Sequence, residues 1–407
     1  MNNVDSRQQV IEAEKARVDH RIRESGIFLS HCAISPLHPV AMSREHSVSM
    51  SHNKCGHLAW NSIYERALDE FRVNAAQLLR TSADNVNFIR STAEGVNLIA
   101  NGYRFSPGDQ VITYKHEYPS NYYPWFLQAG RGVELLQLPN RSSQSSLASY
   151  PGGWSLQDLE EMVTPRTRVV ALSHVQFASG YAANLSELGA FCESRNIDLV
   201  LDVAQSIGSM PIYPEASGVA AVVGSGWKWL MGPVGSGIMY TSPKFRDKLA
   251  ITMAGSEIVQ QGVDYLDHTW HPHRTAKMFE YSTSPMSLVA SLSAVIRDVF
   301  LEIGLESIYS EICRLQNLLL THLDSSTYVA PVDNLRGTSG ILALATTQDP
   351  QRIVNVLAEE CSVFLTARGQ SATDAYIRIA PHFYNTDEEM IDVASALNNV
   401  AAKLRSA

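Results

Sequence analysis

The feature that most constrains this chain is an alternation, from about residue 60 to residue 240, of amphipathic segments with short β-branched apolar runs. Residues 62–79 carry apolar side chains at helical spacing and predict an amphipathic helix. Strands are predicted at 110–114, 133–138, 167–175, 198–205, 220–225 and 237–240. Because strands separated by helices form βαβ units, the pattern predicts an α/β fold with a mostly parallel sheet covered on both faces.

The two ends of the chain have different patterns. Beyond about residue 286 the chain is more helical, with strands predicted at 340–346 and 376–380, which indicates a smaller α+β domain. Residues 5–25 alternate charges at helical spacing and predict a solvated helix. The predicted organisation is an N-terminal helical segment that packs on the small domain (1–25), a large domain (26–285) and a small C-terminal domain (286–407).

The composition argues against several classes of partner. The 407 residues carry a formal net charge of −9, which does not favour nucleic acid or an anionic membrane surface. Five scattered cysteines without a CxxC pair argue against a disulfide framework or a zinc cluster. The N-terminus lacks the apolar core of a signal peptide, and no run of about 18 apolar residues occurs. We therefore expect a soluble, cytoplasmic protein without a bound metal.

Lys228 is the one charged residue in the segment 222–240, where it stands between Trp227 and Trp229. A lysine is rarely buried without a partner or a chemical task. One interpretation is that its amine reaches water at the end of the segment. The other is that burial between tryptophans lowers the pKa of the amine and makes it competent to form a Schiff base.

A candidate anion site precedes the helix that follows the apolar run 86–89. Ser91 and Glu94 have the spacing of a capping box, which by itself indicates only a helix start. A helix N-terminus at the carboxyl end of a strand also presents free N–H groups and a positive dipole end. A phosphate therefore fits there, and Ser225, at the end of another predicted strand, is placed to donate to it.

Three further polar or aromatic residues follow predicted strands. Asp202 ends a strongly apolar run, where it either caps the next turn or holds a heteroaromatic nitrogen protonated, as the pyridine nitrogen of pyridoxal phosphate requires. Tyr118 is either a core aromatic or a residue that stacks on a planar ring. For His174 a structural role and a functional role are equally compatible with the pattern.

Taken together, these residues resemble the pyridoxal-phosphate enzymes of fold type I, and more narrowly the class V aminotransferase superfamily. That superfamily holds cysteine desulfurases, C–S lyases, kynureninase and isopenicillin-N-epimerase-like proteins. The motifs are LDVAQSIG, GWKWLMGPVGSGIMY and the C-terminal RIAPHFYNT, and the resemblance extends from residue 28 to residue 389. It implies a large domain with a mainly parallel sheet of the seven-stranded type, a smaller C-terminal domain and pyridoxal 5'-phosphate as cofactor.

The resemblance also implies roles for particular residues. Lys228 would bind the cofactor as a Schiff base and shuttle protons, and Asp202 would pair with the pyridine nitrogen. Arg378 would bind the α-carboxylate of the substrate, a task suited to guanidinium. Thr283 matches a position at which a neighbouring subunit reaches the phosphate, so a homodimer with shared active sites is expected. The full predicted cofactor-binding set is Thr92, Ala93, Tyr118, His174, Asp202, Gln205, Ser225, Trp227, Lys228 and Thr283.

The chain departs from the family pattern at informative positions. Trp227 stands where desulfurases carry a histidine, Phe177 where many members have an asparagine, and Ala93 where a phosphate-binding threonine is common. The nucleophilic cysteine of desulfurases is missing, because the segment 369–374 reads GQSATD. Cys361 lies upstream, in a predicted helix. The standard persulfide chemistry is therefore not expected.

The predicted activity is that of an enzyme that acts on an α-amino acid through a carbanion at Cα. Lyase-type β-elimination, of a C–S bond or of another leaving group, is favoured. Transamination and epimerisation remain alternatives within the superfamily. A non-catalytic binding protein of the same fold is the alternative of another class. The histidines of 267–273, together with His31 and His38, either line a substrate entrance or lie on the surface.

Overall fold

The computed structural model describes residues 2–17, 24–141, 152–261, 264–330, 339–369 and 375–406. Its strands are β1 (Ile27–Phe28), β2 (Val86–Ile89), β3 (Gln110–Tyr114), β4 (Glu134–Leu138), β5 (Thr167–Ser173), β6 (Asp198–Asp202), β7 (Ala221–Ser225), β8 (Gly237–Thr241), β9 (Tyr328–Val329), β10 (Leu342–Thr346), β11 (Val363–Phe364), β12 (Thr366–Gly369) and β13 (Ala375–Ile379). Its helices are α1 (Asn2–Arg17), α2 (Pro39–Cys55), α3 (His57–Leu79), α4 (Thr92–Gly102), α5 (Pro119–Phe126), α6 (Leu156–Met162), α7 (Leu185–Ser194), α8 (Pro243–Arg246), α9 (Met286–Val295), α10 (Leu301–Ile303), α11 (Leu305–His322), α12 (Pro350–Cys361) and α13 (Asp387–Ser406). Each predicted strand overlaps an observed one, but β5 and β6 end two and three residues before their predicted ends.

The part of the chain that the structure describes contains a seven-stranded sheet in the order β2-β8-β7-β6-β5-β3-β4. From β7 to β4 neighbouring strands pair in parallel, whereas β8 pairs antiparallel with both β7 and β2. The predicted α/β fold with a mostly parallel sheet is confirmed. Because β2, β7, β6, β5 and β3 run in one direction, their carboxyl ends meet at one edge, where ligands bind in such sheets.

Successive residues of the central strands pack into different cores. In β6, Leu199 and Leu201 belong to the larger core, while Val200 between them belongs to the core on the opposite face of the sheet. All three side chains are fully buried. Strand side chains alternate between the two faces, so a sheet covered on both faces needs apolar residues at every position. Each such burial contributes roughly 1.5–3 kcal/mol.

A second sheet, antiparallel and in the order β12-β13-β10-β9, lies toward the C-terminus of the described chain. It shares a separate core with the second half of α11 and with α12 and α13. The larger core takes in α9 and the first half of α11, as far as Ile312, so the division between the two cores falls inside α11. The domain boundaries at 25/26 and 285/286 stay predictions.

The N-terminal helix α1 is less solvated than its charge pattern predicted. Ile11, Glu14 and Lys15 are buried, and Lys15 Nζ donates to Glu311 of α11 at 2.7 Å. The prediction of a solvated helix is wrong at these positions, because a charge pattern does not distinguish a side chain in water from one that meets a buried partner. The predicted segment 18–23 lies outside the described residues. None of the described helices is both long and apolar enough to cross a membrane.

Candidate active site

A cavity of about 380 Å³ lies at the edge where the parallel strands end. Asp202 and Ser225 are the last residues of β6 and β7, and Thr92 begins the helix after β2. Residues 32–34 and the strands β12 and β13 also contribute to its wall. The predicted site residues that line this cavity are Thr92, Ala93, Tyr118, Asp202, Gln205, Ser225, Trp227, Lys228 and Arg378.

One end of the cavity is suited to an anion. Ser91 Oγ accepts the Glu94 N–H at 3.1 Å, so α4 begins at Thr92 and presents the positive end of its dipole. The hydroxyls of Thr92 and Ser225 are buried and have no hydrogen-bond partner in the described part of the chain. A buried polar group without a partner costs about 1–3 kcal/mol. A bound anion that accepts from both hydroxyls would therefore stabilise this end.

Close packing of α4 against β7 brings these hydroxyls to the same cavity. A Cβ at Gly95 would lie 2.5 Å from Val223 Cγ1 on β7 and 3.0 Å from Ile89 Cδ1 on β2. Both neighbours are buried side chains with little room to move. Gly95 therefore allows the approach of helix to sheet on which the anion site depends.

The predicted capping box is formed only in part. The Ser91 hydroxyl caps the helix as expected, but the Glu94 carboxylate accepts from the Arg90 N–H at 2.5 Å and from its guanidinium at 2.8 Å. It also accepts from the Tyr281 hydroxyl at 2.7 Å. The reciprocal half of the prediction is wrong because Arg90 and Tyr281 occupy the Glu94 carboxylate in place of the Ser91 N–H.

Asp202 is buried, Lys228 is half-buried, and the charges of the two side chains interact. Burial lowers the pKa of the Lys228 amine, and the charge of Asp202 opposes that effect. Burial raises the pKa of Asp202, against which the Ala204 N–H, donating at 2.8 Å, and the charge of Lys228 both act. The bond to Ala204 is the turn-capping contact of the alternative interpretation, but it engages only Oδ1. An amine with a lowered pKa disfavours the interpretation that Lys228 reaches bulk water.

Tyr118 and Phe177 form an aromatic corner of the cavity. Their rings meet edge to face, with centroids 5.2 Å apart. Lys228 Nζ lies 5.4 Å from the centroid of the Tyr118 ring. Tyr118 is also half-exposed, so it is not the core aromatic of the alternative interpretation. A planar group bound beside the Lys228 amine would find the face of this ring available.

Gln205 and Trp229 are joined by a hydrogen bond and hold the wall of the cavity at Cys32. Gln205 Nε2 donates to the Cys32 carbonyl at 2.9 Å, and the Trp229 indole donates to Gln205 Oε1 at 3.2 Å. The Trp229 carbonyl bonds His382 Nε2 at 2.8 Å. Trp229 is fully buried, unlike Trp227, which lines the cavity. The two tryptophans around Lys228 therefore have different environments.

Arg378 approaches the cavity from the second sheet. It lies on β13, and its guanidinium donates to the Phe177 carbonyl and, from Nε, to Thr366 Oγ1 at 3.3 Å. The side chain is almost fully buried and has no carboxylate partner among the described residues. A guanidinium buried without an anion favours a bound carboxylate.

Two predicted site residues do not line this cavity. His174 is buried, its Nδ1 has no partner within the described residues, and burial lowers its pKa to about 4. The backbone N–H of His174 donates to the backbone carbonyl of Asp202 at 2.9 Å, so His174 stabilises the end of β6. Thr283 is exposed and borders a separate cavity of about 120 Å³ beside Arg90 and Glu94. Within a single chain, His174 and Thr283 therefore lie outside the cavity that the other predicted site residues line.

His31 and His38 do not line a substrate entrance. Both are fully buried; His31 bonds the Ala380 carbonyl at 2.7 Å and the Tyr384 hydroxyl at 2.8 Å. By contrast, the described histidines of 267–273 lie on a largely exposed loop. No group of three or more potential metal ligands occurs among the residues that the structure describes.

Sequence reasoning missed three residues at or beside the cavity. Cys32 and Arg368 line it. Glu117, next to Tyr118, is buried and accepts from Ser173 N–H at 2.7 Å. Burial raises the pKa of Glu117 to about 7. Arg368 directly precedes the segment that lacks the desulfurase cysteine, and Cys32 lies near the start of the family resemblance at residue 28. These positions were the available signals.

These residues fit pyridoxal 5'-phosphate. The α4 N-terminus and the partnerless hydroxyls of Thr92 and Ser225 suit a phosphate. The buried Asp202 carboxylate suits a protonated ring nitrogen, and Tyr118 offers a ring face beside the Lys228 amine. The combination of an anion site, a buried acid and an amine in the same cavity is what this cofactor requires.

Comparison with known proteins gives matches along most of the chain. A family model described as aminotransferase class-V matches residues 32–393. A probable cysteine desulfurase of Methanothermobacter thermautotrophicus is 26% identical over 348 residues, which cover 83% of this chain and 84% of that protein. Two solved structures show the same fold. The apo cysteine desulfurase of Thermococcus onnurineus NA1 has a TM-score of 0.82 and 22% identity, and the match covers 96% of this chain and 98% of that one. A cystine C–S lyase in complex with its product cysteine persulfide has a TM-score of 0.80 and 22% identity, with 91% and 97% covered.

Proposed function

The chain belongs to the class V aminotransferase family, whose members depend on pyridoxal 5'-phosphate. On that premise we propose that it is a lyase that acts on a free α-amino acid and cleaves the bond between Cβ and its leaving group, a C–S bond or a similar one. One observation carries the proposal. The Lys228 amine, the Asp202 carboxylate and the Arg378 guanidinium line one cavity, so a base, an acidic partner for the cofactor and a carboxylate-binding cation surround one substrate.

Each of these residues has a task set by its surroundings. Arg378 would bind the α-carboxylate, oriented by Thr366 and by the Phe177 carbonyl. The Lys228 amine would then remove the proton from Cα, because burial lowers its pKa and enlarges the neutral fraction that acts as a base. When bound, the cofactor supplies an electron sink whose protonated ring nitrogen the Asp202 carboxylate would hold. Departure of the group on Cβ would complete the elimination.

Two features support lyase chemistry over persulfide formation of the standard kind. The segment 369–374 contains no cysteine where desulfurases carry their nucleophile. One of the structurally similar proteins is a cystine C–S lyase. A β-elimination needs only a base, an electron sink and a leaving group. Lys228 would be the base, the bound cofactor would supply the electron sink, and the substrate would carry the leaving group on Cβ.

The product identifies the reaction. Purified protein loaded with pyridoxal 5'-phosphate is offered a panel of amino acids, and the visible spectrum shows which of them bind. We expect L-cysteine or another β-substituted amino acid to yield pyruvate and ammonia. An oxo acid that keeps the substrate's side chain would instead identify an aminotransferase, and a D-amino acid an epimerase. A protein whose spectrum responds to no amino acid would contradict every enzymatic interpretation.

The active site is proposed to be shared in a homodimer. Thr283 is exposed and lies outside the Lys228 cavity of its own chain, where a second subunit would have access to it.

Light scattering should give twice the chain mass. Thr283→Ala should weaken cofactor binding about tenfold, the effect of one hydrogen bond. Thr321→Ala, at an exposed position near the end of α11, should not weaken it. A monomer with full activity would contradict the shared site.

The cytoplasm is the proposed compartment. All five cysteines are free, and two of them, Cys55 and Cys361, are exposed. A reducing compartment keeps such thiols unpaired.

A further inference from the structure

A thiol lines the substrate cavity at a position that the proposed reaction does not yet use. Among the described cavity residues Cys32 is the only cysteine; Cys192 is buried in the larger core, and Cys55 and Cys361 are exposed elsewhere. Cys32 does not stand alone as an indication of a ligand. The same cavity holds the buried Thr92 and Ser225 hydroxyls, which have no partner in the described chain.

The segment that carries Cys32 is tied to the lysine loop. The Ser35 N–H donates to the Trp227 carbonyl at 3.0 Å, directly before Lys228. The Cys32 carbonyl accepts from Gln205 at 2.9 Å. These bonds hold the backbone of Cys32 against the base of the cavity, so the position of its side chain is determined by the same residues that surround Lys228.

The Cys32 sulfur is adjacent to the residues that would bind the substrate. Its Sγ lies 3.9 Å from Thr366 Oγ1, which also accepts from Arg378 Nε at 3.3 Å. Cys32, Lys228 and Arg378 all line the same cavity. The sulfur therefore lies beside the hydroxyl that contacts Arg378, in the space that Lys228 also borders. A substrate with its carboxylate at Arg378 and its Cα at Lys228 places the Cβ substituent in this neighbourhood.

We propose that Cys32 is a catalytic residue that accepts sulfur from a β-thiol substrate of the L-cysteine class. The proposal rests on the C–S cleavage proposed above and adds a second fate for the sulfur, which is transfer to Cys32 in place of release as hydrosulfide. When the Cys32 thiol is free, it attacks the substrate sulfur and the product is alanine. When Cys32 already carries sulfur, or is replaced, the sulfur leaves as hydrosulfide and the product is pyruvate.

The sulfur transfer balances without an external reagent. A bond forms between Cys32 Sγ and the substrate sulfur, while the bond between that sulfur and Cβ breaks and leaves its electron pair on Cβ. One of the two thiol protons ends on Cβ and the other stays on the new persulfide. The two sulfur atoms are oxidised together by two electrons, and Cβ is reduced by the same two electrons. The free thiol is regenerated when a second thiol takes the outer sulfur.

The test uses the enzyme loaded with pyridoxal 5'-phosphate and free of added reductant. L-cysteine is added at only a few equivalents per active site, because an excess of this thiol would itself take the outer sulfur from Cys32. Alanine and pyruvate are then measured over time, and the quenched protein is alkylated and digested for mass spectrometry. We expect a burst of alanine that matches the number of active sites, followed by pyruvate, and one added sulfur atom on the Cys32 peptide. A thiol reductant should convert the burst into continuous alanine formation.

Cys32→Ser and Cys32→Ala should lower alanine formation by at least about a hundredfold, as expected on loss of a nucleophile, while pyruvate formation continues. Cys361→Ser should keep the burst. Spectroscopic binding of the cofactor and of L-cysteine shows whether each variant is folded. Undiminished alanine formation in both Cys32 variants, or added sulfur only on another cysteine, would overturn the proposal.

The outcomes separate this proposal from the one on which it rests. Steady pyruvate formation from L-cysteine without an alanine burst would overturn the role of Cys32 and leave the lyase intact. Neither product from the wild-type enzyme would overturn the action on L-cysteine, and the role of Cys32 with it.

Discussion

Lys228→Ala is expected to reduce turnover by more than about 10⁴-fold, because it removes both the group that would attach the cofactor and the base for the Cα proton. The amine has no substitute in the described cavity: the other cations there, Arg368 and Arg378, are guanidinium groups that do not deprotonate. The visible band of the cofactor-loaded protein should be lost or displaced. Stopped assays with a substrate that shifts the wild-type spectrum measure the loss.

Lys228→Arg separates the amine from its charge. The substitution keeps a cation near Asp202 and a long side chain between the two tryptophans, yet it supplies no neutral amine. We therefore expect it to be as inactive as the alanine variant. Lys244→Ala, on the exposed start of α8, is the matched control and should retain activity. Activity in Lys228→Arg within tenfold of the wild type would mean that charge, and not proton transfer, is the contribution of this residue.

Asp202→Asn is expected to lower kcat/KM by about 10²–10³-fold, the usual cost of losing one preorganised electrostatic partner. An amide oxygen can still accept the Ala204 N–H that Asp202 Oδ1 accepts at 2.8 Å, so the turn should persist. What is lost is the negative charge that would hold the cofactor's ring nitrogen protonated. Kinetics with saturating cofactor distinguish this loss from weaker cofactor binding.

The Asp202→Asn substitution should not lower thermal stability, although it lowers kcat/KM. Burial raises the pKa of Asp202, which means that the ionised carboxylate is unfavourable there in the absence of the cofactor. Thermal unfolding of the cofactor-free Asp202→Asn protein should therefore occur no lower than that of the wild type. Asp198→Asn, at the other end of β6, is the matched control. It breaks the pair with Lys248 at 2.7 Å and should lower stability while activity is kept. An active Asp202→Asn protein would contradict the cofactor role.

Much of this site follows from local patterns. The strands that end at Asp202 and Ser225 are apolar at almost every position, and each ends at a polar residue. In a parallel sheet such ends meet at one edge, so the proximity of these two residues to each other and to the start of α4 could be predicted. The predicted strand β13 likewise contained Arg378, but its position relative to the larger sheet came from the resemblance and not from the pattern.

Other parts of the site could not be predicted. Cys32 lies near Thr366 although 334 positions separate them. His31 and His38 resemble polar entrance residues in the sequence, but the folded chain buries both. One ring nitrogen of each contacts a backbone group, the Ala380 carbonyl for His31 and the Val40 N–H for His38. Thr283 was expected near the phosphate, and its own chain places it beside Arg90 and Glu94.

The sequence by itself determined the fold class, the strand-end positions of the acid, the anion site and the lysine, and the family to which they point. The periodicity of side chains and the chemistry of turns are local properties, and they act within a few residues. Only the tertiary structure decided which face of the cavity the second sheet supplies, and that a cysteine faces the same space as Lys228 and Arg378. The physical reason is that contacts between distant segments depend on how whole surfaces pack, and packing is not encoded in any single stretch of the chain.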